Sequence, residues 1–112
     1  MTRIPATREP QVTQQRHGEV VRAAILRAGL ALWRDDPASV TLGRIGTRVG
    51  LSRQAVAYHY GGSAEAMRKA IAAHAVEAGD ARVIAQLIVA RHPAIEGMTD
   101  ADRSAWMARG AG

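Results

Sequence analysis

Apolar residues recur at helical spacing along most of the chain. From Glu19 to Arg34, the residues Val21, Ile25, Ala28 and Leu32 form one stripe, widened by Val20, Ala24, Leu30 and Trp33. This predicts a first helix ending at Asp35-Asp36-Pro37, because a residue before proline avoids the helical region. Ser39-Val40-Thr41 reads as a turn, with Thr41 as the N-cap of a second helix over about Leu42 to Val49. Gly50-Leu51-Ser52 reads as a tight turn, and Ser52 caps a third helix to about Tyr60. After Gly61-Gly62, Ser63 opens a fourth helix with Met67, Ala70, Ile71, His74 and Ala78 on one side. Gly79-Asp80 either ends that helix, with Asp80 capping a fifth that buries Val83, Ile84, Leu87 and Ile88, or kinks one long helix. Pro93 stops the run. Thr99 and Asp102 match a capping box, with Asp for the usual Glu, before a last short helix through Trp106 and Met107 to Gly110.

No stretch alternates as a strand would, and nothing repeats. The expected fold is all-α: a compact helical bundle with a three-helix core and two or three short C-terminal helices. Three segments follow. Residues 1–15 are polar and interrupted by Pro5 and Pro10, and read as a flexible basic arm carrying Arg3 and Arg8, with Arg16 just beyond it. Such an arm is able to enter a minor groove. Residues 16–62 hold the helix-turn-helix, and residues 63–112 form a short helical extension.

A chain of 112 residues suits one domain with a modest core. It has no cysteine, so disulfides, thiolate metal sites and cysteine nucleophiles are excluded, in keeping with a reducing cytoplasm. The opening MTRIPATREP lacks the apolar core of a secretory signal. The longest apolar runs, Leu87 to Ala90 among them, fall far short of the ~20 residues that span a bilayer. A soluble, cytoplasmic protein without a membrane partner is expected. The net charge of +5 changes the picture more. Residues 1–60 carry nine arginines against four acids, whereas residues 61–112 are neutral. A polyanion would meet the N-terminal half first, although solubilising charge alone would look the same.

The window Thr41 to Tyr60 gives that charge a purpose. A helix-turn-helix needs a small residue where its helices cross, and Gly46 stands there. Its turn needs a residue tolerant of positive φ, supplied by Gly50. Its inner faces need apolar contacts, supplied by Leu42, Ile45, Val49, Leu51 and Val56. Its second helix needs polar groups on the outer face, and Ser52, Arg53, Gln54 and Tyr58 meet that need. Arg53 is able to pair with guanine O6 and N7, and Gln54 with adenine N6 and N7. Tyr58 is suited to a thymine methyl or a phosphate. Arg44 and Arg48 are placed for backbone phosphates, which position a protein without reading sequence. His59 is a phosphate contact or a packing residue. A generic helical hairpin with a glycine turn is the plainer alternative.

Residues 20–75 resemble the tetracycline-repressor (TetR) type of bacterial regulators. The resemblance lies in Ile25-Leu26, Ala28, Leu32 and Trp33, in Thr41, Ile45 and Gly50-Leu51-Ser52, in His59-Tyr60, and in Glu65 and Met67. It implies a third helix that reads the major groove of a palindromic operator, within a homodimer, and it places Thr41 and His59 among the DNA-contacting positions. The departures are specific. Gly29 and Gly46 stand where the family has alanine, which is expected to loosen both helices. Ala57 and Ser63 replace a Tyr and a Lys that contact phosphate. About 40 residues follow the resembled stretch, which ends near residue 75, too few for the family's ligand domain, so a small-molecule effector is not expected.

Other chemistry is weakly signalled. His17, His59, His74 and His92 show no metal-ligand spacing, and Ser52 and Ser63 read as caps rather than nucleophiles. Neither an enzyme nor a cofactor is expected. Val83, Ile84, Leu87 and Ile88, with Trp106 and Met107, read as intramolecular core, as a dimer interface, or as both. The expected function is thus a homodimeric regulator of double-stranded DNA, a repressor acting by occlusion. The alternative is a helical protein-interaction module that kept the fold and lost operator binding.

Overall fold

The computed structural model describes residues 4–111, with side chains described from His17 onward. Six α-helices follow one another: α1 (Ile4–Asp35), α2 (Leu42–Val49), α3 (Arg53–Tyr58), α4 (Ala64–Ala78), α5 (Ala81–Val89) and α6 (Asp100–Ala111). Short 3-10 turns at Pro37–Ser39 and Pro93–Ile95 join α1 to α2 and α5 to α6. No strand occurs among the described residues, so the fold is all-α as expected.

The capping chemistry read from the sequence is present. The side chains of Thr41, Ser52, Ser63 and Asp80 accept from the backbone N–H groups of Arg44, Ala55, Ala66 and Val83, capping α2 to α5 in turn. Each satisfies a donor that the first helical turn would leave unpaired. Thr99 Oγ1 accepts from Asp102 N at 3.1 Å while Asp102 Oδ2 accepts from Thr99 N at 3.2 Å, which completes the capping box. The choice between one kinked helix and two is resolved: Gly79, at φ 71, ends α4 before Asp80 opens α5.

Three expectations are corrected. The first helix starts at Ile4, not near Glu19, and runs through Pro10. Pro5 lies in its first turn, where N–H groups have no intrahelical acceptor, so its missing donor costs nothing, and Pro10 forfeits one bond in a long helix. The arm's arginines, Arg3, Arg8 and Arg16, lie outside the residues whose side chains are described. Val20 stands off the buried stripe, 65% exposed, because it sits five residues before Ile25 and faces the other way. On α4 the buried set is Met67, Ile71, Ala72 and Ala75, with Ala78 exposed beyond the end of the core.

One core unites α1 to α5. Ile25, Leu32 and Trp33 of α1 pack with Ile45, Val56, Met67, Ile71, Val83 and Leu87, all buried. Val83, Ile84 and Leu87 are fully enclosed within the single chain, so only Ile88, Trp106 and Met107 of the apolar C-terminal set retain exposure. Gly29 allows α1 and α4 to touch: a Cβ there would stand 2.4 Å from Ile71 Cδ1. The glycine is a close-packing site, and the expected loosening of the helix is offset by that contact.

Arg34 joins the end of α1 to the α4–α5 turn. Its Nε and a terminal nitrogen both reach Asp80 Oδ2, at 2.8 and 2.7 Å. The Asp80 side chain is 9% exposed and also caps α5. Asp80→Ala is expected to cost about 1–3 kcal/mol, mostly from the lost cap and less from the half-exposed ion pair. Urea denaturation checks this, and Asp80→Asn, which preserves the cap, should recover the larger part.

His92 caps the second 3-10 turn, its Nδ1 accepting from Ala94 N at 3.0 Å. Burial lowers its pKa below the ordinary 6.5, and the positive charges of Arg68 and Lys69 lower it further. The neutral ring is therefore the folded form. Its contribution to stability is complete above pH 6.5 and is lost as pH falls through the lowered value. His92→Asn, which caps without titrating there, should flatten that part of the stability profile measured between neutral and acid pH.

Candidate nucleic-acid interface

The α2–α3 pair is built around a backbone contact. Leu51 N donates to Gly46 O at 2.8 Å, and Gly50 takes the left-handed conformation at φ 77. A Cβ on Gly46 would stand 2.5 Å from the Leu51 carbonyl oxygen. A residue with no side chain therefore lets the turn close over α2. Leu42, Ile45 and Val56 are buried in the crossing, with Val49 and Leu51 half-buried beside them. The five apolar positions expected on the inner faces are the ones found there.

What remains outward on α3 is polar. Ser52, Arg53 and Gln54 are exposed, and Tyr58 is 82% exposed. Val56 anchors the opposite face, so the two sides of this short helix are sharply divided. The Ser52 hydroxyl is engaged by Ala55 N at 3.0 Å, so its first task is capping. The helix is shorter than expected. It ends at Tyr58, and Gly61 and Gly62 turn the chain at φ 63 and 83, with Gly62 N donating to Ala57 O at 2.8 Å. His59 falls at its C-cap, half-buried, with its ring edge-on to Tyr58 at 5.8 Å between centroids.

Six of the eight expected site residues fall into three groups. Thr41 and Arg53 share an open cleft of about 580 Å³ with Gly43, Ala64 and Arg68, where the N-terminal ends of α2 and α4 meet. Arg44 and Arg48 are exposed on α2 and line a separate cleft of about 230 Å³ with Thr47 and Leu32. Tyr58 and His59 stand at the far end of α3. Gln54 is exposed on α3 and lines neither cleft.

The electrostatics are one-sided. Arg44, Arg48 and Arg53 form no ion pair with an acid among the described residues. No acid stands in the sequence between Asp36 and Glu65. Burial lowers the pKa of His59, and nearby Arg22 and His17 lower it further, so positive charge of α1 adjoins the end of α3.

Two contributions escaped the sequence reading. Arg68 donates to Pro37 O at 3.0 Å and Val40 O at 2.8 Å, and its guanidinium lies 4.9 Å over the Trp33 ring. It thereby fixes the strand of backbone leading into the Thr41 cap. Arg22 approaches His59 from α1. Neither had a local signal, since each acts on residues more than 25 positions away.

Searches against family models, curated proteins and solved structures found no match to this chain. Among the described residues, no helix is long and apolar enough to cross a membrane. No group of three or more His, Asp or Glu side chains among them is placed to hold a metal ion.

Proposed function

We propose that this chain is a sequence-specific DNA-binding regulator of transcription, a cytoplasmic repressor that occupies a palindromic operator as a homodimer. The observation that carries this reading is the outward face of α3. It presents Arg53, Gln54 and Tyr58 to solvent from a turn that cannot splay, on a stretch of chain free of acids. Arg53 and Gln54 read base edges, while Arg44 and Arg48 contact phosphates. Thr41 and Ser52 hold the helix ends toward the backbone, and Tyr58 and His59 complete the contact at the end of α3. The TetR-type resemblance of residues 20–75 supports the same arrangement.

Pairing of two copies supplies the second half-site, with centres about 34 Å apart or a multiple of that distance. An apolar surface suited to pairing is formed by Ala85, Val89, Ala90 and Met107 at α5 and α6, with Val89 71% exposed.

Selection of bound sequences from a random DNA pool tests the reading, with mass measured in solution. A pseudo-palindromic consensus bound by two copies is the expected result. Arg53→Ala should cost about 1–3 kcal/mol at one base position and relax specificity there. Unchanged binding by Arg53→Ala and Gln54→Ala would show that α3 does not read DNA. Absence of any DNA binding at low salt would favour the protein-interaction module instead, since phosphate contacts must strengthen as salt is lowered. That alternative draws on Ala57 and Ser63, which stand where the resembled family contacts phosphate; Ser63 spends its hydroxyl on a cap.

A further inference from the structure

His92 stands at the root of the last helix. Its Nδ1 caps the Pro93–Ile95 turn, and its ring meets the buried Trp33 edge-on at 6.2 Å. The turn carries Ile95, 5% exposed, into the core, with Ala94 and Met98 half-buried beside it. Beyond the turn, α6 contributes no buried residue. Among the described residues it forms no ion pair and no side-chain hydrogen bond with α1 to α5; its polar contacts stay within residues 99–103. It rests on α5 by close approach alone. A Cβ on Gly110 would stand 2.6 Å from both Ala81 O and Ala85 Cβ. The segment from His92 onward is thus pinned by one buried side chain and one capped turn. An element with so little buried surface opens more readily than the core.

The cap depends on the charge of the ring. A neutral imidazole accepts at one nitrogen, whereas the imidazolium carries a donor on both. A proton on Nδ1 therefore sets donor against donor at Ala94 N–H, and the cap is lost. Little nearby compensates the new charge. From α4 come Arg68, whose guanidinium is committed to Pro37 O and Val40 O, and Lys69, 3.8 Å from exposed Glu65. From the α5–α6 side, Arg91 and Arg103 are matched by Glu96 and Asp100. Trp33, from α1, brings no charge. Burial, Arg68 and Lys69 already disfavour the proton. Arg91, the next residue back, is the one non-glycine at positive φ among the described residues, at φ 55. That strain is shed when the segment lets go.

We propose that His92 is an acid-sensitive latch: a proton on its Nδ1 releases the Pro93–Ile95 turn and frees α6 from α5, while α1 to α4 stay folded. Acid thereby bares the Ala81–Ala85 face of α5 that α6 covers. The latch is independent of DNA recognition, and its test uses no DNA.

Amide hydrogen exchange of the full chain between about pH 7.5 and 5, corrected for intrinsic exchange rates, tests it. The opening constant of α6 should exceed that of α4 throughout. It should rise by up to about tenfold per pH unit as pH falls from 6.5 toward the lowered pKa, because opening takes up one proton. His92→Asn, which caps without titrating there, should abolish the rise, although Glu96, Asp100 and Asp102 remain. His92→Ala, which lacks the cap at any pH, should raise the α6 opening constant about tenfold at neutral pH and leave it insensitive to acid. The proposal is overturned if α6 and α4 open with the same constant, if the α6 constant does not rise in acid, if it rises equally in His92→Asn, or if His92→Ala leaves α6 as protected as before.

Discussion

Replacing Trp33 with alanine is expected to destabilise the protein by about 3–5 kcal/mol, the usual cost of emptying a buried tryptophan site. Trp33 is 4% exposed and packs in the core near the end of α1. Its ring also organises two polar neighbours. Arg68 lies over its face at 4.9 Å, and His92 meets it edge-on at 6.2 Å. With the ring gone, Arg68 loses the surface that orients it toward Pro37 O and Val40 O, and the backbone entering the Thr41 cap loses its restraint. The change therefore reaches α2 as well as the core. Small domains have only about 5–15 kcal/mol in total, so Trp33→Ala leaves little reserve. Trp33→Phe keeps an aromatic face under Arg68 and should cost much less. Urea denaturation followed by circular dichroism checks both variants, because far-UV ellipticity does not depend on the tryptophan removed. A loss under about 1.5 kcal/mol for Trp33→Ala would mean that the site collapses without a cavity.

Gly46→Ala is the second large effect, and its sign is the informative part. Helix propensity alone favours alanine over glycine by about 0.8–1.0 kcal/mol inside a helix. The added Cβ, however, would stand 2.5 Å from the Leu51 carbonyl oxygen. That neighbour is backbone, and Leu51 N is already bonded to Gly46 O, so the turn has no cheap way to yield. Overpacking of this kind costs about 1–3 kcal/mol, and the upper part of that range is expected here. Displacing the turn also tilts α3 against α2, so the DNA binding proposed for this face should weaken beyond what stability explains. Gly43→Ala is the matched control. It lies on the same helix with nothing within 4 Å of the added Cβ, and should stabilise by about 0.4–1 kcal/mol. Thermal melts of the two variants should therefore move in opposite directions. A rise for both would remove the close crossing as the reason for glycine at position 46.

Gly46 and Gly29 each serve a contact that only folding creates. Gly46 was legible as a small residue at a crossing, because a helix-turn-helix demands one there. Its departure from the alanine of the resembled family suggested a looser helix. The close approach to Leu51 O makes it a tighter one, through a turn contact that helix propensity does not encode. Gly29 tells the same story against Ile71, which lies 42 positions further along the sequence.

The sequence alone determined the local features. Capping residues act within three positions, so Thr41, Ser52, Ser63, Asp80 and the Thr99–Asp102 box were readable from spacing. The inner apolar faces of α2 and α3 were readable for the same reason: helical periodicity is a local property. The outward polar set on α3 followed from what those faces left over. Tertiary structure decided whatever depends on distant partners. It enclosed Val83, Ile84 and Leu87 within one chain, where periodicity could not separate core from interface. It brought Arg68 onto Trp33 and Val40, and Arg22 toward His59, by folding α4 and α1 against the α2–α3 pair. Spacing along a chain records which face a residue is on, and packing decides what that face meets.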